Sequence, residues 1–369
     1  MLVVRSNAYA LPGGDIRHAE RTGAALRGLG VDADVVATDD PDPRGYDVAH
    51  VFGVFEPERA RRQIDAIRRH GTPLALSPIW LDLRAFFAIA PHVERALASS
   101  SAHGAERRLH ALHRIEARLP WRGSVARNAN RRLDAQRALM LDADVVLPAS
   151  HTEAYLFSER LRIHDLPFVV APLGIDDDAL SVEAPAARSG VLCAGRVEPK
   201  KNQAALLYAL RDVDVDVTIV GGTFDAPYLA LCRRWATPRT RFVPHAPRGE
   251  LLAMMAACAV HAHPSWLETP GLASLEAGAA GARLVVGDRG CEREYFGPDV
   301  DYADPADPST IRTAVLRALQ RPPRARGDAL ARRLAAFTWR RHGAATIAAY
   351  RHALRSERAA VSPRDASRA

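Results

Sequence analysis

The chain has 369 residues, 48% hydrophobic and 25% charged, with a formal net charge of +7. That length is enough for two domains with proper cores, and the composition is ordinary for a globular protein. No apolar run approaches the roughly 18 residues of a transmembrane helix, which argues against a membrane-spanning chain.

The four cysteines, at positions 193, 232, 258 and 291, lie far apart and lack metal-ligand spacing. Cys193 and Cys258 fall in apolar segments, which predicts reduced core residues. The N-terminal residues 1–5 have the pattern of a strand rather than that of a signal peptide. We therefore expect a cytoplasmic protein.

Predicted strands and helices alternate along most of the chain, which favours doubly wound parallel sheets. The first unit is a strand at Leu2–Arg5, a glycine-containing loop and a helix through Leu29. Further strands are predicted at 33–36, 48–52, 73–77, 145–147 and 168–170. An Asp- and Ala-rich segment, 176–189, is the best domain boundary, and a second alternating series follows it.

The loop after the first strand contains Gly13 and Gly14. A glycine pair there lets the backbone approach a phosphate closely, although a plain turn is an equal alternative. The pair also raises the possibility of a dinucleotide-dependent oxidoreductase. That class needs Gly-x-Gly-x-x-Gly, which follows neither domain's first strand.

The region 103–137 is strongly basic and begins with an apolar stripe at Leu109, Leu112, Ile115 and Leu119. It could dock on an anionic membrane or hold a lipid-diphosphate acceptor, with 86–89 adding an apolar contact. Arginine-rich surface helices are the alternative. Nucleic-acid binding is not expected, because no aromatic-interleaved binding module accompanies the charge. The arginines are Arg107, Arg108, Arg114, Arg118, Arg122, Arg127, Arg131, Arg132 and Arg137.

A second basic element follows a predicted buried strand that starts at Val191 and ends at Gly195-Arg196. A turn then leads to Lys201 and a helix with an apolar face. Arg196 and Lys201 stand at opposite ends of the turn, so both could bind one anion. A guanidinium and an ammonium beside a helix N-terminus suit a diphosphate. A basic surface turn is the alternative.

Two carboxylates, Glu268 and Glu276, are separated by seven residues across a predicted loop-to-helix transition. Thr269 is the expected N-cap, Pro270 the first helical residue and Gly281 the stop. The backbone amides of Gly271 and Leu272 would then face a cleft. Such a site suits a ligand rich in hydroxyls, whereas the alternative is a capped helix with two solvated glutamates.

These two elements together resemble the signatures of family 4 retaining glycosyltransferases, from about 191 to 319 and more weakly elsewhere. The family has Glu-x7-Glu, and Gly-Arg followed five residues later by Lys. Pro270-Gly271 stands where the family has an aromatic–glycine pair. The resemblance implies the GT-B fold, an α/β architecture of two Rossmann-like domains facing a cleft.

The resemblance also implies the domain boundaries. Residues 1–175 would form the N-terminal acceptor-side domain and 176–337 the C-terminal nucleotide-sugar domain. The helix at 338–356 would cross back to the N-terminal domain, which makes domain closure the expected motion. The polar tail 357–369 is expected to be disordered.

The implied activity is metal-independent transfer of a sugar, with retention, from a UDP- or GDP-sugar to a hydroxyl of a sugar or lipid-linked acceptor. No cofactor is expected, and bacterial polysaccharide or lipopolysaccharide synthesis is the family's usual setting. The implied catalytic residues are Glu268, Arg196 and Lys201. The implied donor-binding residues are Gly13, Gly14, Gly195, Arg196, Lys201, His245, Gly271, Leu272 and Glu276.

Two acidic runs, Asp142-Ala143-Asp144 and residues 212–216, superficially match the Asp-x-Asp of metal-using glycosyltransferases. Both precede predicted strands, whereas the metal ligands of that class follow one. Polar turns are therefore the better interpretation, and no metal site is expected.

The N-terminal half of the site stays open, because family members often carry a histidine where this chain reads Ser77-Pro78-Ile79-Trp80. His18 and His50 are other candidates, each more often structural. Two alternative functions remain open: a GT-B-type epimerase or phosphorylase, and a catalytically silent partner in a polysaccharide assembly complex.

Overall fold

The computed structural model describes residues 1–11, 13–99, 101–116, 125–183, 185, 187–325 and 327–361. The strands within them are β1 (Leu2–Val4), β2 (Val35–Ala37), β3 (Ala49–Phe52), β4 (Leu74–Ser77), β5 (Val145–Val146), β6 (Ser189–Ala194), β7 (Val217–Val220), β8 (Thr240–Val243), β9 (Cys258–His263), β10 (Arg283–Gly287) and β11 (Asp301–Ala303). The helices are α1 (Gly14–Arg27), α2 (Pro57–Arg68), α3 (Arg84–Leu97), α4 (Ala102–Glu116), α5 (Val125–Leu141), α6 (His151–Leu161), α7 (Asp177–Ser181), α8 (Gln203–Leu210), α9 (Ala226–Arg234), α10 (Arg248–Ala257), α11 (Leu272–Ala279), α12 (Glu292–Phe296), α13 (Pro308–Gln320), α14 (Ala329–Leu334) and α15 (Trp339–Val361).

The described chain divides into two compact units, and the first contains residues from 1–81, 127–174 and 337–361. Its five strands form a parallel sheet in the order β2-β1-β3-β4-β5. The predicted strand at 168–170 was wrong, because the structure has only a bridge between Phe168 and Val146 there. The segment still runs beside β5, because the amides of Val146, Val169 and Ala171 donate at 2.9 Å to the carbonyls of Pro167, Val146 and Pro148. Proline has no amide hydrogen to donate, which keeps this short pairing from extending into a regular strand.

The second unit holds a six-stranded parallel sheet in the order β11-β10-β9-β6-β7-β8. Helix α8 is buried along its whole length, because it is apolar on all sides and packs between α3 and α13. Two parallel sheets with alternating helices confirm the predicted α/β, doubly wound class.

Helices α3 and α4 were assigned to the N-terminal domain from sequence, but the structure places both helices in the second unit. Ile89, Val93 and Leu97 recur at helical spacing and join that unit's core. The indole N–H of Trp235 donates to the Leu97 carbonyl at 2.9 Å, at the C-terminal end of α3. Chain order suggested one domain, but the apolar face of α3 packs in the other.

Apolar residues proposed to contact a membrane, in the stripe that begins at Leu109 and in 86–89, instead contribute to the hydrophobic core of the second unit. Leu109 is buried, and Phe86 packs against the same core as α3. Arg132 stacks on Phe55, 4.1 Å from the ring centre, and Arg137 donates to the Leu161 carbonyl at 3.1 Å. Residues 117–124 and the side chains of 113–130, about half of the predicted basic stretch, lie outside the described structure.

The predicted return of the C-terminal helix is confirmed, since α15 belongs to the first unit and packs on α1, β4 and β5. A Cβ at Gly174 would overlap the backbone of Trp339, so the start of α15 requires glycine there. The helix continues to Val361, so the disorder expected from 357 is wrong as far as 361. Residues 362–369 lie outside the described structure.

Three buried histidines connect α15 to the rest of the first unit. The His50 ring contacts the Tyr350 hydroxyl at 2.8 Å and the Ser77 hydroxyl at 2.9 Å. The His342 ring contacts the Thr22 hydroxyl at 2.8 Å, and His18 lies edge-on to it. His18 and His50 therefore have the structural role that the sequence favoured, and Ser77 is part of the same network.

All four cysteines are buried and none forms a disulfide, as predicted for Cys193 and Cys258. Burial raises the pKa of the Cys193 thiol to about 12, which keeps it protonated and unreactive. None of the helices in the described part of the chain combines the length and the apolar character that crossing a bilayer requires.

Candidate functional site

The topology of the second unit places a ligand site between β6 and β9. Strands β6 to β8 run outward to one edge of the sheet and β9 to β11 to the other, so the strand order reverses between β6 and β9. Open α/β sheets bind ligands outside the carboxyl ends of the strands at this reversal. Gly195 follows β6 and His263 ends β9, so both lie at that point.

The exit of β6 brings backbone and side chain close together. Gly195 has a φ of +152°, and a Cβ there would lie 3.4 Å from Nε2 of His263. The Arg196 guanidinium is 3.4 Å from the Glu198 carboxylate and stays 40% exposed. The Arg196 carbonyl accepts a 2.8 Å hydrogen bond from the Gln203 amide. Arg196 therefore keeps an accessible positive charge on an anchored backbone.

A one-turn 3-10 helix at Pro199–Lys201 orients Lys201, and Asn202 ends it in the left-handed conformation. The Asn202 amide donates to the carbonyls of Pro264, at 3.1 Å, and Pro305, at 2.8 Å. The Trp266 amide donates to the Lys200 carbonyl at 2.9 Å. These bonds tie the turn after β6 to the loop after β9.

Lys201 and Glu268 form a buried ion pair across the two loops. Nζ of Lys201 lies 2.5 Å from Oε1 of Glu268, and the side chains are only 15% and 11% exposed. Burial alone would raise the pKa of Glu268, but the Lys201 charge outweighs it and the pKa falls to about 2. The sequence assigned Lys201 and Glu268 to one site, but it did not predict that they form an ion pair with each other.

His263 adds a neutral ring to this pair. Its Nε2 is 3.8 Å from Oε1 of Glu268, and its Nδ1 is 3.5 Å from the Ser274 hydroxyl. Burial, followed by the Lys201 charge, lowers the pKa of His263 to about 4, so the ring is uncharged at neutral pH. The sequence did not single out His263 as a neighbour of Glu268, because His263 is the last residue of a strand and belongs to no recognised motif.

Helix α11 begins later than predicted. Its first residue is Leu272 and its N-cap is Gly271, so the assignment of Thr269 as the cap and Pro270 as the first helical residue is wrong. Gly271 has a φ of +85°, which a residue with a side chain adopts only with strain. The amide of Leu272 still lies in the first turn of the helix, and a Cβ at Gly271 would lie 3.3 Å from Cγ of Glu268. The predicted stop at Gly281 is confirmed.

Glu276, in the middle of α11, is held by an arginine that the sequence did not single out. Arg248 contacts Glu276 at 3.0 Å and also contacts Asp178 at 2.6 Å and Asp176 at 3.1 Å. The Glu276 and Asp176 side chains are 8% and 9% exposed, respectively. Arg248 therefore orients the carboxylate by joining the start of α10 to α11 and α7.

Arg248→Met is expected to lower the free energy of unfolding by about 2 kcal/mol, because it leaves two nearly buried carboxylates without this partner. Urea denaturation measures the change. Arg248→Met/Glu276→Gln should recover part of the loss, because one of those charges is also gone. The matched control, Arg239→Met, removes an exposed arginine that pairs with Asp214 and Asp216, and no measurable change is expected. Strictly additive losses in the double variant would contradict the coupling.

The remaining predicted residues lie apart from this cluster or in the other unit. His245 is exposed in the loop between β8 and α10. Gly13 is the N-cap of α1 and Gly14 its first residue, both in the first unit, and neither has a positive φ. The left-handed freedom of glycine is therefore not used at either position, and their part in phosphate binding stays a prediction.

The acidic runs behave as the polar turns that the sequence favoured. Asp142 and Asp144 pair with Arg61 and Arg68. Asp214 and Asp216 pair with Arg239, as already described, and Asp212 pairs with Arg312. Among the described residues, no group of three or more His, Cys, Asp or Glu side chains is arranged to hold a metal ion.

Residues 181–332 match the family model of glycosyl transferases, group 1. This segment contains Arg196, Lys201, Glu268 and Glu276, so the site described above lies within the matched domain. No curated protein sequence matches the chain.

Solved structures resemble the chain over nearly its full length. Sucrose-phosphate synthase from Thermosynechococcus elongatus is 18% identical over 96% of this chain and 99% of its own, with a TM-score of 0.65. Anabaena HepE, solved with UDP and glucose, is 15% identical over 98% and 99%, with a TM-score of 0.60. Trehalose 6-phosphate synthase from Burkholderia multivorans is 15% identical over 83% and 77%, with a TM-score of 0.55. At these identities the likeness establishes the fold, which is GT-B.

Proposed function

We propose that the chain is a retaining, metal-independent glycosyltransferase that moves a sugar from a UDP- or GDP-sugar to a hydroxyl acceptor. The observation that carries the proposal is the buried Lys201–Glu268 pair beside Arg196, at the strand-order reversal of a group 1 glycosyl transferase domain. HepE, which shares the fold, binds UDP and glucose.

The donor would bind mainly to the second unit. Glu276, oriented by Arg248, would accept hydrogen bonds from the ribose hydroxyls. The amides of Gly271 and Leu272 would donate to sugar hydroxyls, since they begin α11 beside Glu268. His245 would lie near the base, at the carboxyl end of β8.

The departing diphosphate is where electrostatic catalysis has most to gain. Arg196 keeps 40% exposure and can turn toward an anion, whereas Lys201 starts with Glu268 as its counter-ion. As charge develops on the diphosphate, Lys201 would share its ammonium between the two anions. Glu268, held ionised by its low pKa, would stabilise positive charge at the reacting sugar carbon.

Two side-chain cations near the leaving group support chemistry without a metal. The acidic runs that could imitate a metal site are engaged with arginines, as described above. Retention follows from the family resemblance, as does a setting in bacterial polysaccharide or lipopolysaccharide synthesis. A cytoplasmic location, with the basic region reaching the inner membrane face, belongs to the same proposal.

A panel of UDP-, GDP- and ADP-sugars, with and without EDTA, tests the proposal by thermal shift and by release of the nucleoside diphosphate. One nucleotide series should stabilise the protein by about 2.7 kcal/mol at a hundredfold excess over its Kd. EDTA should not change the result. Arg196→Ala should weaken the response, whereas Arg239→Ala, at the amino end of the edge strand β8, should leave it intact.

The other outcomes distinguish the alternatives. No response to any nucleotide sugar would favour a catalytically silent partner. Conversion of the donor without transfer to an acceptor would favour an epimerase, and phosphate-dependent cleavage of a polysaccharide would favour a phosphorylase. Loss of activity in EDTA would contradict metal independence.

A further inference from the structure

Glu292 is a buried carboxyl group that none of the roles above uses. It is the first residue of α12, shortly after β10, and is only 1% exposed. Within the described residues, neither of its carboxyl oxygens is hydrogen-bonded to another residue. Leaving a buried polar group unpaired destabilises the folded state, so such a group calls for an explanation.

The position of Glu292 links it to the proposed donor site. The Cys291 amide donates to the Glu268 carbonyl at 3.1 Å, which holds the loop after β10 against the loop after β9. A Cβ at Gly290 would lie 2.6 Å from the Glu268 carbonyl oxygen and 2.8 Å from its nitrogen, and would also overlap Oε2 of Glu292. The absence of a side chain at Gly290 therefore lets the Glu292 carboxyl approach the backbone of Glu268.

The surroundings of Glu292 favour its protonated form. Burial is the main cause, and the negative charges of Glu268 and Asp288 add to it, so the pKa of Glu292 is well above its usual range although an interaction with its own backbone amide lowers it. The Lys201 ammonium acts in the opposite direction but is already paired with Glu268. A protonated carboxylic acid, unlike Glu268, can donate a hydrogen bond.

We propose that Glu292 is a specificity-determining residue of the donor site, where its carboxylic acid donates a hydrogen bond to a hydroxyl of the sugar that Glu268 holds. This inference rests on the proposed function. Glu268 can only accept hydrogen bonds while ionised, and Glu292 supplies a donor near the backbone of Glu268. A hydroxyl of the transferred sugar both donates and accepts, so it can bridge two such groups. The nucleoside diphosphate alone lacks the transferred sugar and cannot form this bridge.

The experiment compares the Kd of UDP with that of UDP-glucose, with the GDP and ADP pairs in parallel, for wild type, Glu292→Ala and Glu292→Gln. The measured quantity is the Kd of UDP divided by the Kd of UDP-glucose, and this ratio isolates the contribution of the transferred sugar. Glu292→Ala should reduce this ratio about tenfold, the effect of losing one hydrogen bond. Glu292→Gln should keep most of it, because the amide N–H donates in place of the acid.

The pH profile separates this role from a purely structural one. The wild-type ratio should fall as the pH rises through the pKa of Glu292, while that of Glu292→Gln should stay flat. Glu94→Gln is the matched control, since Glu94 is a half-buried carboxyl on α3 whose pKa burial raises to about 6. That control should follow wild type.

The possible results separate the role of Glu292 from the glycosyltransferase proposal on which it rests. Unchanged ratios in both variants, or parallel pH profiles for wild type and Glu292→Gln, would overturn the role of Glu292 and leave the glycosyltransferase proposal standing. A wild type that binds no nucleotide or nucleotide sugar would overturn both. If Glu292→Ala does not fold, the pH profile of Glu292→Gln gives the answer alone.

Discussion

Lys201→Met is expected to lower turnover about 10²- to 10³-fold and the free energy of unfolding by about 3 kcal/mol. Turnover falls because a positive charge aimed at the leaving diphosphate is gone. Stability falls because Glu268, 11% exposed, is left buried with its counter-ion removed. The sequence alone predicts a loss of turnover much larger than the loss of stability, and the structure adds the second effect.

The double variant Lys201→Met/Glu268→Gln separates the two effects. It should regain most of the lost stability, because neither member of the buried pair is charged, yet turnover should stay low. Urea denaturation and release of the nucleoside diphosphate measure the two quantities. Arg239→Met serves as the control for both. Full recovery of turnover in the double variant would show that the pair is structural and not catalytic.

Acidification should destabilise the first unit through its buried histidines. Burial lowers the pKa of His342 to about 4, although hydrogen bonds to the carbonyls of Pro172 and Ala171 act against it. In the unfolded chain the pKa is about 6.5, so the unfolded state binds more protons between these values. Stability is therefore complete above pH 6.5 and falls toward pH 4, by about 3 kcal/mol from His342 alone.

Urea denaturation at several pH values between 7 and 4 tests this expectation. His342→Gln should be less stable at neutral pH, because its contact with Thr22 is altered, but its stability should depend less on pH. The difference between the two curves isolates His342 from the carboxylates that titrate in the same range. His70→Gln, at an exposed position, should run parallel to wild type. A parallel curve for His342→Gln would contradict the mechanism.

The fold could be predicted from sequence where local pattern and tertiary packing agree. Alternating apolar strands and capped helices gave both sheets, and the apolar spacing after Trp339 gave the returning helix. The assignment of α3 and α4 to the N-terminal domain failed, because an apolar helix face does not reveal which of two hydrophobic cores it packs against. The prediction also failed at Thr269-Pro270, where good capping residues lie two positions too early for the backbone turn that Gly271 makes.

The candidate site was predicted only in part, for a related reason. Arg196, Lys201, Glu268 and Glu276 lie in short motifs that can be recognised along the chain. Arg248, His263 and Glu292 belong to no motif and acquire their roles through contacts between distant segments. A sequence shows which groups can carry charge, whereas a pKa depends on what surrounds the group after folding.

The cover that α3 and α4 provide for α8 bears on how this protein is made. Trp235 and Leu97, joined by a hydrogen bond, are 138 positions apart in the chain. During synthesis α3 and α4 therefore leave the ribosome well before α8 and the second sheet are made. Their apolar faces stay without their native partners until the chain is longer. By the same reasoning, a fragment cut to residues 181–332 would expose α8, so the segment that sequence comparison recognises lacks part of the core to which it contributes.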